Sequence, residues 1–485
     1  MKNINIKLIA LLCTVFAIAF SSCSKWLDVT PEDNVYADDA FKDLKGFESG
    51  LAGVYNSMTA SNLYGAELKY NFADALAGYW QISNSANSNY YASNYDFAEQ
   101  GVQNRINNIW TELYKSIHQV NIMFDYLDNL KESKEKNLVK GELLGLRAFL
   151  HLEVFKWFGP VVREEGTASK AVPYYTTSTK KPQPFLTAAA FFVQAENDLL
   201  EAIDLLADDP INEIGRAGNG NSNTSSLNYS YLLNYRGARS NIYAVRAMLA
   251  RMYELKGDNL KAGQTANLII TDLKSNPMID IAWMTEKEIN SALSDKDIRF
   301  SKENIFSIIK NESHTSNLPY FGTSRTLIPA YSGFLQNLYT KGSGASSDYR
   351  LIQWKISGAF SKFLNPDATS NKSVKRNELK LISLPELYFM VIEANLETDP
   401  ELSVEMLNEL RSKRGLSPVT FDNSSALQNI YIDEVRREFI GEGFLFTFYK
   451  RLYHSIYKST GEVTPSLNIF KLPIPLDEEI FNKSN

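Results

Sequence analysis

Residues 241–273 read NIYAVRAMLARMYELKGDNLKAGQTANLIITDL, and their apolar positions recur at helical spacing on both sides of a break at Gly257-Asp258. Small side chains stand where two antiparallel helices would approach each other closely, at Ala247, Ala250, Ala262 and Ala266. Larger side chains would fill the space between the helices, namely Leu249, Tyr253, Leu268 and Ile269. The stretch therefore predicts a pair of packed antiparallel helices.

Three other parts of the chain carry a similar helical pattern. Residues 384–414 read as two amphipathic helices with a break at Thr398-Asp399-Pro400. Residues 104–158, which stop at Gly159-Pro160, and residues 188–206 are also periodic. Helix pairs of this length are typical of tetratricopeptide repeats, in which each pair buries its apolar face by stacking on the next. We therefore expect a mostly α-helical fold.

Long irregular segments lie between these helices, near residues 62–100, 211–236 and 276–380. They are rich in Asn, Ser, Gly and Tyr. Loops of this length are uncommon in a compact protein unless they are functional or mobile. We expect them to form a loop-rich subdomain that holds a ligand.

Aromatic residues are concentrated in the first of these segments, where residues 79–97 read YWQISNSANSNYYASNYDF. Five of its rings are candidate ligand-binding residues: Tyr79, Trp80, Tyr90, Tyr91 and Tyr95. Flat aromatic rings can stack on the C–H faces of sugars while their polar tips, together with Asn and Ser side chains, bond sugar hydroxyls. The alternative is that these rings only pin the loop to the body of the protein.

The N-terminus has the order of a secretory signal. Lys2 and Lys7 precede an apolar run at residues 8–20, and two serines follow it directly before Cys23. The run is short for a membrane-spanning helix, which needs about 20 apolar residues. We expect residues 1–22 to be a lipoprotein signal peptide. The alternative is an ordinary signal peptide that happens to contain a cysteine.

The cysteine count supports lipidation. The chain has two cysteines, and Cys13 lies in the segment that would be removed, so Cys23 has no partner for a disulfide. We expect Cys23 to be the lipidation site. Residues 23–38 would then be a lipidated tether, and residues 39–485 would be the body.

Composition and motifs exclude several classes of protein. The formal net charge of −6 argues against a nucleic-acid partner, which would need clustered cations. The sequence contains no Walker loop, Gly-x-Ser-x-Gly elbow, His-Glu-x-x-His motif or EF-hand loop. Its four histidines show no metal-ligand spacing, and His151 is expected to be a satisfied interior residue. We expect no catalytic residue, metal or cofactor.

Glu434, Glu438 and Glu442 recur every four residues beside two arginines. This spacing favours ion pairing along a helix. The alternative is an acid–base pair in a surface-anchored hydrolase, since abundant carboxylates leave that chemistry open.

Several segments, taken in order, resemble the SusD/RagB family of outer-membrane nutrient-binding lipoproteins. They are CSKWLDVTP at 23–31, RAFL to FKWFGPVV within 147–162, the repeat-like 247–266, LPELYFMVIEA at 384–394, LNELRSKRGL at 407–416, EVRREFIGEG at 434–443 and LPIP with Glu479-Ile480 at 472–480. The family's usual Pro after Val162 is missing. Ser383 and Val391 stand where the family has arginines.

The resemblance implies a SusD-like fold with four tetratricopeptide-like helix pairs and an irregular subdomain that carries the ligand site. It also implies a non-catalytic protein that is lipid-anchored to the outer membrane, faces the cell surface, and passes oligosaccharides to a SusC-like TonB-dependent β-barrel transporter. The Glu-Gly block at 434–443 would be structural. Two further alternatives remain open, a peptide-binding member of the family and a scaffold whose repeats bind only proteins.

Overall fold

The computed structural model describes residues 37–217, 231–290, 297–311, 313–330, 335–340, 347–364 and 377–483. The expected signal peptide, Cys23 and most of the tether lie outside the described residues, as do parts of the second and third irregular segments. Within the described ranges, no helix combines the length and the apolar character needed to cross a membrane.

Nine helices of twelve or more residues dominate the described structure. They are α1 Leu44–Met58, α2 Gln100–Asp125, α3 Lys134–Phe158, α4 Ala188–Leu205, α5 Ile242–Lys256, α6 Asn259–Ser275, α7 Leu384–Asn395, α8 Pro400–Lys413 and α9 Ser424–Glu438. From α1 to α8, each helix packs against the next one in chain order, and α9 packs against both α7 and α8. The expectation of a mostly α-helical fold is confirmed. The division into four repeat pairs stays a prediction, which this consecutive stacking supports.

The α5–α6 pair forms where the sequence predicted it. Gly257 ends α5 with a φ of +86°, which suits a residue without a Cβ, and the Asp258 carboxylate accepts the Lys261 N–H to begin α6. The four alanines are buried, but one expected filler is wrong, because Leu268 is 61% exposed. A helix of the array buries only the faces turned to its neighbours, and Leu268 lies outside them.

Helix α3 lies at the centre of the array, and nearly every residue from Leu138 to Phe158 is buried. His151 lies within it, with Nδ1 placed to donate to the Arg147 carbonyl and Nε2 accepting the Tyr175 N–H, both at 2.8 Å. Burial lowers the pKa of His151 to about 3. The expectation of a satisfied interior histidine is confirmed.

The loop-rich part contains little regular structure. Strand β1 (Asn304–Ile309) pairs antiparallel with β2 (Glu378–Ser383), and β3 (Ile456–Lys458) pairs with β4 (Gly461–Val463). Its helices and the remaining short ones are Phe72–Leu76, Tyr90–Ser93, Val162–Glu165, Ile211–Ile214, Glu286–Ile289, Ser313–Phe321, Gln336–Thr340, Tyr349–Gln353, Leu445–Leu452, Leu467–Phe470 and Leu476–Lys483.

A buried layer of charge joins the helical array to the loop-rich part. Glu434 and Glu438 on α9 both contact Arg350 of the loop-rich part, at 2.5 and 3.0 Å. Glu434 also accepts from Arg411 at 2.8 Å, and Glu438 accepts from Arg414 at 2.9 Å. All five side chains are buried. We call this set the charged layer.

The arginines of the charged layer keep its carboxylates ionised. Burial alone would raise the pKa of Glu434, but Arg350, Arg437 and Arg411 lower it to about 2. Burial likewise opposes ionisation of Glu438, and Arg414 and Arg350 hold its pKa well below the ordinary value. Both carboxylates are fully buried and bonded to arginines, so a substrate cannot reach them to exchange a proton.

The prediction that Glu434, Glu438 and Glu442 form ion pairs along one helix is wrong for Glu442. Helix α9 ends at Glu438, so Glu442 is not on it. Glu442 instead binds the buried Lys69 and Lys362, at 2.5 and 2.6 Å. The expected ion pairing exists, but most of its partners come from distant segments and only Arg437 pairs with Glu434 along the helix.

The turn that carries Glu442 is fixed by its two glycines. The N–H groups of Gly441 and Gly443 donate to the buried carboxylate of Asp74, at 2.5 and 3.0 Å. Gly443 has a φ of +67°, and a Cβ on it would overlap the carbonyl oxygen of Leu68. Only glycine combines this backbone conformation with so close an approach. The turn therefore holds residues 67–76 in place.

Candidate functional site

The first two candidate rings lie inside the protein. Tyr79 is fully buried, and its hydroxyl donates to the carbonyl of Arg436 at 2.7 Å. Trp80 is 3% exposed, and its indole N–H donates to the Tyr70 carbonyl at 2.6 Å. With no free face or free polar atom, neither ring can contact a ligand at the surface. Their assignment as ligand-binding residues is corrected, because both anchor the loop.

Tyr95 is also mainly structural. It is half-buried, its hydroxyl donates to the Leu76 carbonyl at 3.0 Å, and the Lys458 ammonium lies 5.1 Å from its ring centroid. Burial raises the pKa of this phenol. The hydroxyl is thus already used, and one face of the ring is covered by a cation.

Tyr90 and Tyr91 are placed differently. Tyr91 is 38% exposed and Tyr90 is half-exposed, and their rings meet edge to face with centroids 5.3 Å apart. Neither hydroxyl bonds to any of the described residues. These two rings therefore present both apolar surface and free hydroxyls to solvent.

A polar floor holds these two rings. Arg105 of α2 donates to Glu67 at 2.5 Å and to the Asn89 side-chain oxygen at 2.8 Å. Asn89 in turn donates to Asn71 at 2.8 Å, and Asn71 donates to Glu67 at 3.0 Å. Because Asn89 directly precedes Tyr90, this closed network fixes the base of the ring pair.

Residues 318–330 form the second wall of the site. Their backbone is joined to the first loop by bonds from Gln81 N–H to the Ile328 carbonyl and from the Asn87 amide to the Thr326 carbonyl, at 2.8 and 3.1 Å. On this wall Tyr320 is half-buried, with its ring 5.1 Å from that of Tyr70. Burial raises the pKa of Tyr320, and Glu67 adds to the increase while Arg105 opposes it.

We call Tyr90, Tyr91 and Tyr320, with the nearby amides of Asn84 and Asn87, the tyrosine face. It offers three phenol rings and the exposed Asn84 amide beside a floor whose charged groups pair with each other. Such a surface can stack on an apolar ligand face and bond to its hydroxyls. The sequence prediction missed Tyr320, Arg105 and Glu67. The Tyr320-Phe321 pair in the third irregular segment was the available signal.

Comparison with known proteins places this geometry in context. The family model SusD-like_3, described as "Starch-binding associating with outer membrane", matches residues 25–217. That match spans Tyr90 and Tyr91 of the tyrosine face and helices α1 to α4. The sequence has no significant match among proteins with curated descriptions.

Solved structures match over nearly the whole chain. A SusD superfamily protein from Bacteroides thetaiotaomicron is 21% identical, with a TM-score of 0.71 over 91% of this chain and 98% of its own. A SusD superfamily protein from Bacteroides fragilis is 19% identical, with a TM-score of 0.70 over 92% and 99%. A SusD-like carbohydrate binding protein from Bacteroides vulgatus is 18% identical, with a TM-score of 0.66 over 91% and 97%.

Proposed function

We propose that the chain is a non-catalytic oligosaccharide-binding lipoprotein of the outer membrane and a member of the SusD-like family, whose model matches residues 25–217 and whose fold extends over some nine-tenths of its length. The observation that carries the proposal is the tyrosine face. Its rings and amides are the groups that recognise a sugar, and they project from a rigid floor. The family description and the carbohydrate-binding relative point to the same ligand class.

The proposal extends to a partner and an anchor. As the family resemblance implies, the bound oligosaccharide is delivered to a SusC-like TonB-dependent transporter in the outer membrane. A lipid on Cys23 holds the protein at the cell surface, and the tether lets the body reach its partner. Catalysis is not part of the proposal, because Glu434 and Glu438, the carboxylates that the sequence offered for it, are buried and paired with arginines in the charged layer.

The ligand site is tested by calorimetric titration with maltotriose, cellotriose, xylotriose and mannotriose. We expect at least one of these sugars to bind the wild-type protein. Tyr91→Ala should weaken that binding roughly tenfold, because it removes one stacking ring and its hydroxyl. Tyr320→Ala should weaken it by a similar factor.

Two variants serve as controls. Tyr91→Phe keeps the ring and should retain most of the affinity. Leu268→Ala removes an even more exposed apolar side chain, from α6, and should leave the sugar affinity unchanged. If none of the four sugars binds and peptides do bind, the peptide-binding alternative would be supported. Release of reducing ends from a bound polysaccharide would contradict the absence of catalysis.

The anchor is tested by Cys23→Ala. The variant should leave the membrane fraction and appear as a folded protein with unchanged sugar affinity, because Cys23 lies outside the body. Fractionation and calorimetry together measure both properties. A variant that stays on the membrane would show that something other than the lipid holds it there.

A further inference from the structure

A concave surface lies on the helical array, between α2, the segment at 175–180 and the terminal helix Leu476–Lys483. Its cavity of about 370 Å³ is within the size range of small-ligand sites. Four of the residues that line it are Trp110, Tyr114, His118 and Tyr175. We call it the α2 cleft.

The α2 cleft is separate from the tyrosine face. Arg105, which supports the tyrosine face, and Tyr114, which lines the cleft, are both on α2. Nine residues separate them, about two and a half helical turns, so their side chains project from opposite sides of the helix. One bound sugar cannot use both surfaces at once unless it passes around α2.

The rings of the α2 cleft are already fixed in place. Tyr114 meets Trp110 with centroids 4.7 Å apart and meets Tyr175 edge to face at 5.4 Å. The Tyr114 hydroxyl donates to the Pro173 carbonyl at 3.0 Å, and the Tyr175 hydroxyl accepts the Gln183 N–H at 3.1 Å. Both tyrosines are half-buried, so part of each ring is left open to the cleft. A ligand would meet a rigid aromatic wall at little entropic cost.

His118 supplies a polar group that the fold does not use. It is half-buried and lines the cleft, and no hydrogen bond joins its ring to any described residue. Burial lowers the pKa of His118, Lys180 lowers it further, and Asp125 opposes them. The lowered pKa favours the neutral imidazole, which has one nitrogen that donates and one that accepts. A sugar hydroxyl can pair with either.

We propose that the α2 cleft is a second carbohydrate site, in which a sugar ring stacks on Tyr114 and Tyr175 while its hydroxyls bond to His118. The inference rests on the proposed function, because it assumes that the protein's ligands are oligosaccharides. A second site would let the protein hold two short ligands, or two stretches of one long chain.

The test is the stoichiometry of binding to the full protein, measured by calorimetry with whichever trisaccharide binds. The wild type should bind two molecules. Tyr175→Ala should remove the α2 site or weaken it roughly tenfold. His118→Ala should weaken it severalfold without harming the fold, because the imidazole has no hydrogen bond to lose. Asn108→Ala, at an exposed α2 position outside the cleft, is the matched control.

Each outcome separates the two proposals. Loss of one bound sugar in the cleft variants and of the other in Tyr91→Ala supports both sites. A wild-type stoichiometry of one that only Tyr91→Ala abolishes overturns the α2 site and leaves the proposed function intact. A stoichiometry of one that only the cleft variants abolish supports the α2 site and overturns the tyrosine face. If the wild-type protein binds none of the four sugars, the proposal that its ligands are carbohydrates is itself overturned.

Discussion

Glu438→Ala is expected to lower the free energy of unfolding by about 3–5 kcal/mol, because removing one member of a buried ion-pair network leaves its partners uncompensated. Glu438 accepts hydrogen bonds from Arg350 and Arg414, and all three side chains are fully buried. Without it, each guanidinium loses a carboxylate in a place that water does not reach. Urea denaturation followed by circular dichroism measures the loss.

The matched control is Glu405→Ala on α8. Glu405 is an exposed helical glutamate, so its removal should change stability by less than about 0.5 kcal/mol. If Glu438→Ala were no more destabilising than this control, the charged layer would not hold the helical array to the loop-rich part.

Gly443→Ala is expected to lower the free energy of unfolding by about 3 kcal/mol or more. A left-handed backbone costs a residue with a Cβ about 1–2 kcal/mol, and the overlap with the Leu68 carbonyl adds the strain of moving the backbone. Leu68 is next to Glu67, so the displacement should also reach the tyrosine face. The free energy of unfolding, measured by urea denaturation, and the sugar affinity should therefore both decline.

Gly257→Ala separates the two causes. Gly257 has a φ of +86°, but a Cβ there would meet nothing within 4 Å. We expect Gly257→Ala to lower the free energy of unfolding by about 1–2 kcal/mol, because only the left-handed backbone conformation opposes the new side chain. Equal losses in the two variants would mean that the approach of Gly443 to Leu68 contributes nothing.

The helices could be predicted from sequence because their apolar spacing and their end signals are local. The break at Thr398-Asp399-Pro400 is one example, since Asp399 accepts the Leu402 N–H and Pro400 opens α8. Leu268 shows the limit of this reasoning. Its spacing fits a buried position, and only the arrangement of neighbouring helices leaves it exposed.

The candidate site was harder to predict, because composition does not say which way a ring points. Tyr79 and Tyr91 occur in one polar segment, yet the first is fully buried and the second is the most exposed of the five. Tyr320 comes from a different segment, more than two hundred residues along the chain, and no local pattern joins it to Tyr90. The ion-pair partners of Glu434 and Glu442 could not be predicted either, because most of them are distant in sequence.

The consecutive stacking of the helices and the Gly441–Gly443 turn have opposite consequences for the order of folding. Apart from α6 and α7, which are separated by the third irregular segment, each array helix packs against a neighbour that is close by in the chain, so much of the array can form as synthesis proceeds. The turn, by contrast, contacts Asp74 across 367 and 369 residues. A nascent chain that has not yet reached residue 441 can already possess most of its helices, while the segment under the tyrosine face still lacks its support. The proposed sugar site is therefore completed last, when the C-terminal part packs against the N-terminal part.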